Sequence, residues 1–153
     1  MRPGIRVKIY IPGMKQMATQ AADLLFGRGS EWNNKTTLET YLNTNLRALG
    51  TYDVFDFTNT NNTVYVELKS RRIRHDAYPT AIIGANKVDW CTDPSKTYWF
   101  AYAYADGIYI IKYDKELFDT YQRIDEYQRG TRPDCTNNPK RVVLIPHQHL
   151  TRV

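Results

Sequence analysis

The sequence predicts one mixed α/β (α+β) domain with a central mixed sheet of four or five strands flanked by helices. Two hairpin patterns indicate the sheet: apolar runs on either side of the polar connection 58–63, and aromatic and β-branched runs on either side of Asp106-Gly107. A helical pattern precedes the first hairpin. The chain has 153 residues, of which 42% are hydrophobic and 13% aromatic, so residues 1–153 can bury the core of a single domain.

The first third of the chain predicts one strand and two helices. Residues Ile5–Ile11 alternate apolar and basic side chains and end at Pro12-Gly13, which is typical of a short strand. Residues Met14–Phe26 have a helical pattern, and the polar stretch that follows is expected to be a loop. A second helix is predicted from Thr36 or Thr37 through Leu49, because leucines recur at helical spacing up to Gly50.

The remaining elements follow from alternation and turn residues. The first hairpin joins the strands Tyr52–Phe57 and Val64–Lys69, and the second joins Tyr98–Tyr104 and Ile108–Tyr113. Further predicted elements are a partly helical segment Ala77–Trp90, a helix Lys115–Gln128 and a last strand Val142–Ile145.

The charge balance favours a polyanionic partner. Lys and Arg number 21 against 16 Asp and Glu, and five basic side chains cluster at the end of the first hairpin: Lys69, Arg71, Arg72, Arg74 and His75. The two cysteines lack metal-ligand spacing and are expected to be reduced thiols. The absence of a long apolar run predicts an intracellular protein that is neither secreted nor inserted in a membrane.

Two carboxylates and a lysine are predicted to meet on the first hairpin. Alternate residues of a strand share a face, so Glu67 and Lys69 point the same way. A hairpin centred near residues 60 and 61 would place Asp53 opposite Glu67, and Asp56 nearer the tip with its side chain on the other face. Two carboxylates can bind Mg²⁺ or Mn²⁺, and a lysine can stabilise the charge that develops on a phosphate, so this set suits phosphodiester hydrolysis.

The order of these residues resembles the PD-(D/E)XK nuclease superfamily, which has the restriction-endonuclease-like fold. The family pattern is a helix with a glutamate, an aspartate at a strand start, a hairpin, an E-x-K strand, a helix and further strands. The matching residues here are Glu39, Asp53 and Glu67-Leu68-Lys69. Tyr52 stands where the family often has proline, and Asp56 is a second candidate for the aspartate.

The resemblance implies a role for each residue. Asp53, Glu67 and the Leu68 backbone carbonyl would bind the metal, and Lys69 would position water. Glu39 would be an auxiliary acid, with Glu31 as the alternative, and Lys87 would lie near the scissile phosphate. Basic residues beside the motif would contact the nucleic acid: Arg71, Arg72 and Arg74.

The resulting functional hypothesis is a Mg²⁺- or Mn²⁺-dependent DNA endonuclease, structure-selective or non-specific, similar to small viral or phage nucleases and acting in the cytoplasm, host cell or virion. The alternatives are an inactive nuclease-fold protein that binds nucleic acid or associates with virions, and RNA as the substrate. Cutting two strands with one site per chain would require a homodimer. His147 and His149 are interpreted as an exposed pair rather than metal ligands.

Overall fold

The computed structural model describes residues 33–127 and 140–153. Contacts between Cα atoms divide the protein into two compact units, Met1–Thr37 and Leu38–Val153, and apart from residues 33–37 the account below concerns the second. The predicted strand Ile5–Ile11, the predicted helix Met14–Phe26 and Glu31 lie outside the described residues. Because so little of the first unit is described, the prediction of a single domain stays a prediction.

The described part is a mixed α+β structure with few helices. Its helices are α1 over residues 33–42, α2 over Ala85–Asp89 and α3 over Lys115–Phe118, and a 3-10 turn covers His147–His149. Its strands are β1 Arg47–Ala48, β2 Phe57–Thr58, β3 Val64–Ser70, β4 Thr80–Gly84, β5 Thr97–Tyr104, β6 Gly107–Lys112, β7 Arg123–Tyr127, β8 Lys140–Pro146 and β9 Thr151–Arg152. None of the helices in these residues is long and apolar enough to cross a bilayer.

The strands form two sheets. The larger sheet has six strands in the order β1-β2-β3-β5-β6-β9, so the prediction of four or five strands was wrong. Two very short strands, β1 and β9, extend it at its edges, where a two-residue run leaves no alternation to detect. Within it β3 and β5 are parallel, and the other neighbours are antiparallel. The smaller sheet is antiparallel, in the order β4-β8-β7.

The larger sheet is covered on both faces. One face packs against α1 residues through Leu38 and Val66, both completely buried. The opposite face carries Phe100 and Tyr102 and packs against the smaller sheet and α2 through residues such as Ile83 and Val143. The strand β3 therefore lies in the interior, with β2 and β5 on either side and cores above and below.

The predicted helix to Leu49 was wrong at its C-terminal end. Helix α1 ends at residue 42, and Asn43 adopts a left-handed conformation with φ 54°. The backbone N–H of Thr44 then donates to the Glu39 carbonyl at 3.2 Å, which is the closure expected of a helix C-terminus with asparagine in place of glycine. The apolar spacing continued to Leu49 because Leu46 is also a core residue, but it reaches the core from an extended segment.

Two other predicted elements were longer than the observed ones. The strand predicted over Tyr52–Phe57 is reduced to β2, because residues 51–56 form turns and bends. The helix predicted over Lys115–Gln128 ends at Phe118, and β7 follows, paired with β8. The segment predicted as partly helical contains α2, preceded by the unpredicted strand β4. The second hairpin was confirmed, with Tyr102 opposite Tyr109.

Candidate active site

The centre of the site is a buried glutamate on an interior strand. Glu67 lies on β3 and is only 3% exposed. Its neighbour Val66, on the opposite face of the strand, is also buried, although in a half-exposed sheet only one of the two would be. The strands β2 and β5 lie on either side of β3 in the sheet, and a hydrophobic core covers each of its two faces. A carboxylate in such a place loses its hydration, so it requires charged or hydrogen-bonding partners.

Two lysines converge on one oxygen of this carboxylate. The Nζ of Lys69 lies 3.3 Å from Glu67 Oε2, as the strand alternation predicted, and the Nζ of Lys87 lies 3.1 Å from the same oxygen. Lys87 comes from α2, and its Nζ also donates to the Val54 carbonyl at 2.6 Å. Sequence comparison with the family pattern singled out Lys87, and the structure brings it to the motif.

The other carboxylate oxygen is unpartnered in the part of the chain that the structure describes. Glu67 Oε1 is buried and has no hydrogen-bond partner among the described residues. A buried polar atom without a partner is rare in native proteins and costs free energy, so it points to a ligand that would approach it.

The second acid of the site is Asp56. The register pairs Phe57 with Val66, and the backbone N–H of Asp56 donates to the Val66 carbonyl at 3.1 Å, so Asp56 lies alongside Glu67. One carboxylate oxygen, Oδ2, accepts a hydrogen bond from the N–H of Leu68 at 2.8 Å. In an antiparallel pair the N–H and C=O of one residue face the same neighbour, so the Leu68 carbonyl points to the side on which Asp56 lies.

The electrostatics of the pair follow from this closeness. Burial raises the pKa of Glu67 above its ordinary value, and the neighbouring Asp56 carboxylate raises it further. Lys69 and Lys87 lower the pKa but do not cancel the increase. Two acids close together, with cations beside them, form an environment in which a divalent cation would favour the ionised form.

The predicted position of Asp53 opposite Glu67 was wrong. Asp53 is exposed and lies in a turn, where its Oδ2 accepts a hydrogen bond from the Gly50 N–H at 2.6 Å. The centre of the connection between β2 and β3 lies further along the chain than predicted. The aspartate alongside Glu67 is therefore the alternative candidate Asp56, three residues after Asp53. The metal-binding role assigned to Asp53 stays a prediction, and the proposal below uses Asp56.

Glu39 has a structural contact. Its Oε2 accepts a hydrogen bond from the Leu46 N–H at 2.7 Å, which ties the end of α1 to the segment that leads into β1. This contact explains the position of a half-buried acid on α1 without a catalytic role. The auxiliary role of Glu39 stays a prediction.

The predicted nucleic-acid contacts differ in their surroundings. Arg71 is half-buried and donates to the Ser70 carbonyl at 3.0 Å, whereas Arg72 and Arg74 are exposed. Arg74 is paired with Asp76 at 3.2 Å and Asp106 at 3.6 Å. Asp76 and Asp106 therefore offset part of the positive charge of the basic cluster that the sequence predicted.

Sequence reasoning missed a second cluster. His75 is paired with Asp106, stacks on Tyr109 and faces His147. The two histidines are far apart in the chain. His147 follows β8, which is brought close to the His75 region by its pairing with β4. The alternation of apolar and polar residues in a sequence does not show which strands pair, so the cluster could not be predicted. His147 and His149, interpreted as a pair, have different partners, since His149 Nδ1 lies 2.6 Å from the Tyr121 hydroxyl.

The groups gathered at β3 are thus two adjacent carboxylates, two lysines and a backbone carbonyl. Asp56 and Glu67 supply the acids, Lys69 and Lys87 the cations, and Leu68 the carbonyl. No protein-family model matches the chain, and no curated protein matches it significantly.

Proposed function

We propose that this protein is a metal-dependent nuclease of the PD-(D/E)XK type that hydrolyses phosphodiester bonds, with DNA as the expected substrate. The observation that carries the proposal is the buried Glu67 Oε1, which has no hydrogen-bond partner in the described part of the chain and lies beside a second carboxylate. A structural ion pair would have no need of an unpartnered oxygen, whereas a metal ligand requires one.

The donor set fits Mg²⁺ or Mn²⁺. Hard divalent cations prefer oxygen ligands, and the site offers Glu67 Oε1, the Asp56 carboxylate and the Leu68 carbonyl. The Asp56 oxygen that binds the Leu68 N–H is held in place by that bond, which orients the carboxylate. When bound, such a cation polarises a phosphate and lowers the pKa of a water molecule.

The lysines contribute charge and position. Both are bonded to Glu67 Oε2, so they hold the carboxylate in one orientation and leave Oε1 for a ligand. Their side chains are 26% and 21% exposed, so they can also reach a phosphate that approaches from solvent. Positive charge there would stabilise the negative charge that builds up on phosphate oxygens in the transition state. Lys69 would in addition orient the attacking water.

The order of elements supports the family resemblance. Helix α1, the hairpin β2–β3 with its E-x-K residues, helix α2 and strand β5 occur in the order of the family pattern, with β1 inserted after α1 and β4 inserted before α2. The aspartate alongside the motif is then Asp56, eleven residues before Glu67. The restriction-endonuclease-like core is part of this proposal.

The alternative is a nuclease-fold protein that binds nucleic acid without cleaving it. The observation that favours it is the saturation of Glu67 Oε2 by two lysines, which would also stabilise a purely structural buried carboxylate. Both hypotheses predict binding that weakens with salt, because basic side chains contact phosphates in each. Cleavage alone separates them.

The test uses the full chain with supercoiled, single-stranded and branched DNA and with RNA, each with Mg²⁺, Mn²⁺ or EDTA. We expect cleavage of at least one substrate with metal and none with EDTA. Glu67→Gln, which keeps the shape and removes the charge, should reduce the rate at least about 100-fold. The proposal is overturned if no substrate is cut with either metal, or if Glu67→Gln cuts as fast as the wild type. Cleavage of RNA alone would change the substrate and keep the mechanism.

A further inference from the structure

Four aromatic side chains form a cluster beside the candidate active site: Phe55, Tyr65, Trp90 and Tyr98. The centroid of the Trp90 ring lies 5.4 Å from that of Phe55, 5.2 Å from that of Tyr65 and 5.8 Å from that of Tyr98. Phe55 and Tyr98 are buried and form the base of the cluster. Trp90 is 41% exposed and Tyr65 is half-buried, so these two rings are the part of the cluster that solvent reaches.

The exposure of Trp90 is not required by its place in the backbone. Trp90 is the C-cap residue of α2, and its N–H donates to the Asn86 carbonyl at 3.1 Å, a bond that needs no aromatic side chain. A tryptophan ring has a large apolar surface, and leaving it in water forgoes free energy that burial would provide. An exposed ring that continues a buried aromatic cluster therefore offers a flat apolar face to a ligand.

The cluster adjoins the candidate active site along three segments of the chain. Tyr65 and Glu67 share one face of β3 and are about 6.6 Å apart along the strand. Trp90 follows Lys87 by three residues, which is close to one helical turn. A third ring of the cluster immediately precedes Asp56 in the sequence. A nucleotide with its phosphate at Glu67 would therefore bring a base within reach of Trp90.

Positive charge accompanies the aromatic face. The Nζ of Lys96 lies 5.3 Å from the centroid of the Tyr65 ring, and its distance of 3.9 Å from Asp93 makes that ion pair a weak one. The Lys96 side chain is 30% exposed. Lys69 and Lys87 lie at the other end of the same strand face, bonded to the buried carboxylate. Flat rings between cations suit a nucleic acid, because its bases stack and its phosphates are negatively charged.

We propose that Trp90 and Tyr65 stack against an unpaired nucleobase, so that the site takes single-stranded DNA or the single-stranded part of a branched DNA. The bases of a duplex are covered by their neighbours in the stack, whereas an unpaired base presents a face to an aromatic side chain. Lys96 would contact the backbone phosphate of the stacked nucleotide. The inference rests on the proposed function, since it names the form of DNA that the same site would bind.

The test measures binding without cleavage, by fluorescence anisotropy of a labelled oligothymidylate and of a labelled blunt duplex, both in EDTA. We expect Trp90→Ala to weaken binding of the single strand about 5- to 100-fold and to change binding of the duplex by less than about 3-fold. Tyr41→Ala is the matched control and should bind both as the wild type does. Tyr41 is 43% exposed and contacts Trp99 edge-on, but it lies on the opposite face of the larger sheet.

Tryptophan emission gives a second readout that does not require the alanine variant to fold. Stacking on thymine quenches indole emission, so unlabelled oligothymidylate should quench the wild type. Trp90→Phe keeps an aromatic ring, so it should bind within about 3-fold of the wild type and lose most of the quenching. Single-strand binding by the wild type with unchanged emission, or Trp90→Ala binding as tightly as the wild type, would overturn the inference.

Cleavage assays distinguish failure of this inference from failure of the nuclease proposal. Trp90-dependent binding without metal-dependent cleavage would overturn the nuclease proposal and support the binding of an unpaired base. Cleavage of single strands that Trp90→Ala leaves unchanged would do the reverse. Trp90-dependent binding of oligouridylate but not of oligothymidylate would overturn DNA as the ligand.

Discussion

The carboxylate of Asp56 bonds to the backbone N–H of Leu68, the residue that follows Glu67. The strand β2 begins at Phe57, so this bond adds a side-chain contact to the β2–β3 pairing at the residue just before β2. It holds one acid of the hairpin beside the other, and it explains how a strand of only two residues can position a charged side chain.

The first prediction distinguishes the two aspartates. Asp56→Asn removes a carboxylate next to Glu67 and should reduce metal-dependent cleavage at least about 30-fold, whereas Asp53→Asn should stay within about 3-fold of the wild type. Steady-state cleavage of the best substrate measures both. The reverse result, with Asp53→Asn inactive and Asp56→Asn active, would restore the original assignment of Asp53.

The second prediction concerns the lysine from α2. Lys87→Met removes one of the two cations on Glu67 and the donor to the Val54 carbonyl, so the free energy of unfolding should fall by about 2 kcal/mol. Urea denaturation measures it. Lys115→Met is the matched control, because the Lys115–Asp119 pair is exposed and contributes little to stability. Equal losses in both variants would contradict a buried role for Lys87.

The third prediction is a pH dependence. The folded state raises the pKa of Glu67 above its unfolded value of 4.5, so the folded protein holds this proton more tightly. The stabilisation from that proton is complete below pH 4.5 and is lost as the pH rises through the raised pKa. Glu67→Gln cannot titrate, so the stability difference between variant and wild type should move in favour of the variant as the pH rises across that window.

Denaturation of both proteins at a series of pH values in the absence of divalent metal measures the difference. A stability difference that stays constant above pH 4.5, or that moves in favour of the wild type, would contradict the raised pKa. Bound Mg²⁺ favours the ionised carboxylate and should shift the wild-type profile to lower pH.

The fourth prediction tests the end of α1. Asn43 has φ 54°, so Asn43→Ala should lower the free energy of unfolding by about 1 kcal/mol, because an L-residue with a Cβ and no side-chain hydrogen bond is strained there. Asn43→Gly should equal or exceed the wild type in stability. Thermal denaturation of the two variants gives the comparison, and a more stable alanine variant would show that the left-handed conformation is not adopted.

The sequence was sufficient to predict the central elements. The strand β3 and the hairpin β5–β6 follow from alternation and from the Asp106-Gly107 pair, and their observed bounds differ from the predicted ones by one residue. Lys69 meets Glu67 because the two residues share a face of one strand, which is the simplest inference from strand geometry.

The register of the first hairpin was harder to predict, since it depends on the turn. The backbone N–H groups of Thr63 and Val64 donate hydrogen bonds to Asn59 Oδ1, which tightens the connection. The observed pairing places the centre of the connection midway between Asn61 and Asn62. A shift of one and a half residues in the centre changes the partner of Glu67 by three positions, from Asp53 to Asp56. No alternation pattern contains that information, because residues 58–63 are polar throughout.

The parallel pairing of β3 with β5 has a kinetic consequence. Asp56 and Glu67 are brought together by a short hairpin, which can form within microseconds, whereas Lys87 arrives only with the crossover that connects β3 to β5. We therefore expect the two carboxylates to meet with Lys69 beside them but before Lys87 arrives, so that their repulsion opposes the early hairpin. We expect refolding to be faster below pH 4.5, where Glu67 of the unfolded chain is protonated, than at neutral pH, so the arrangement that serves the folded site slows the path toward it.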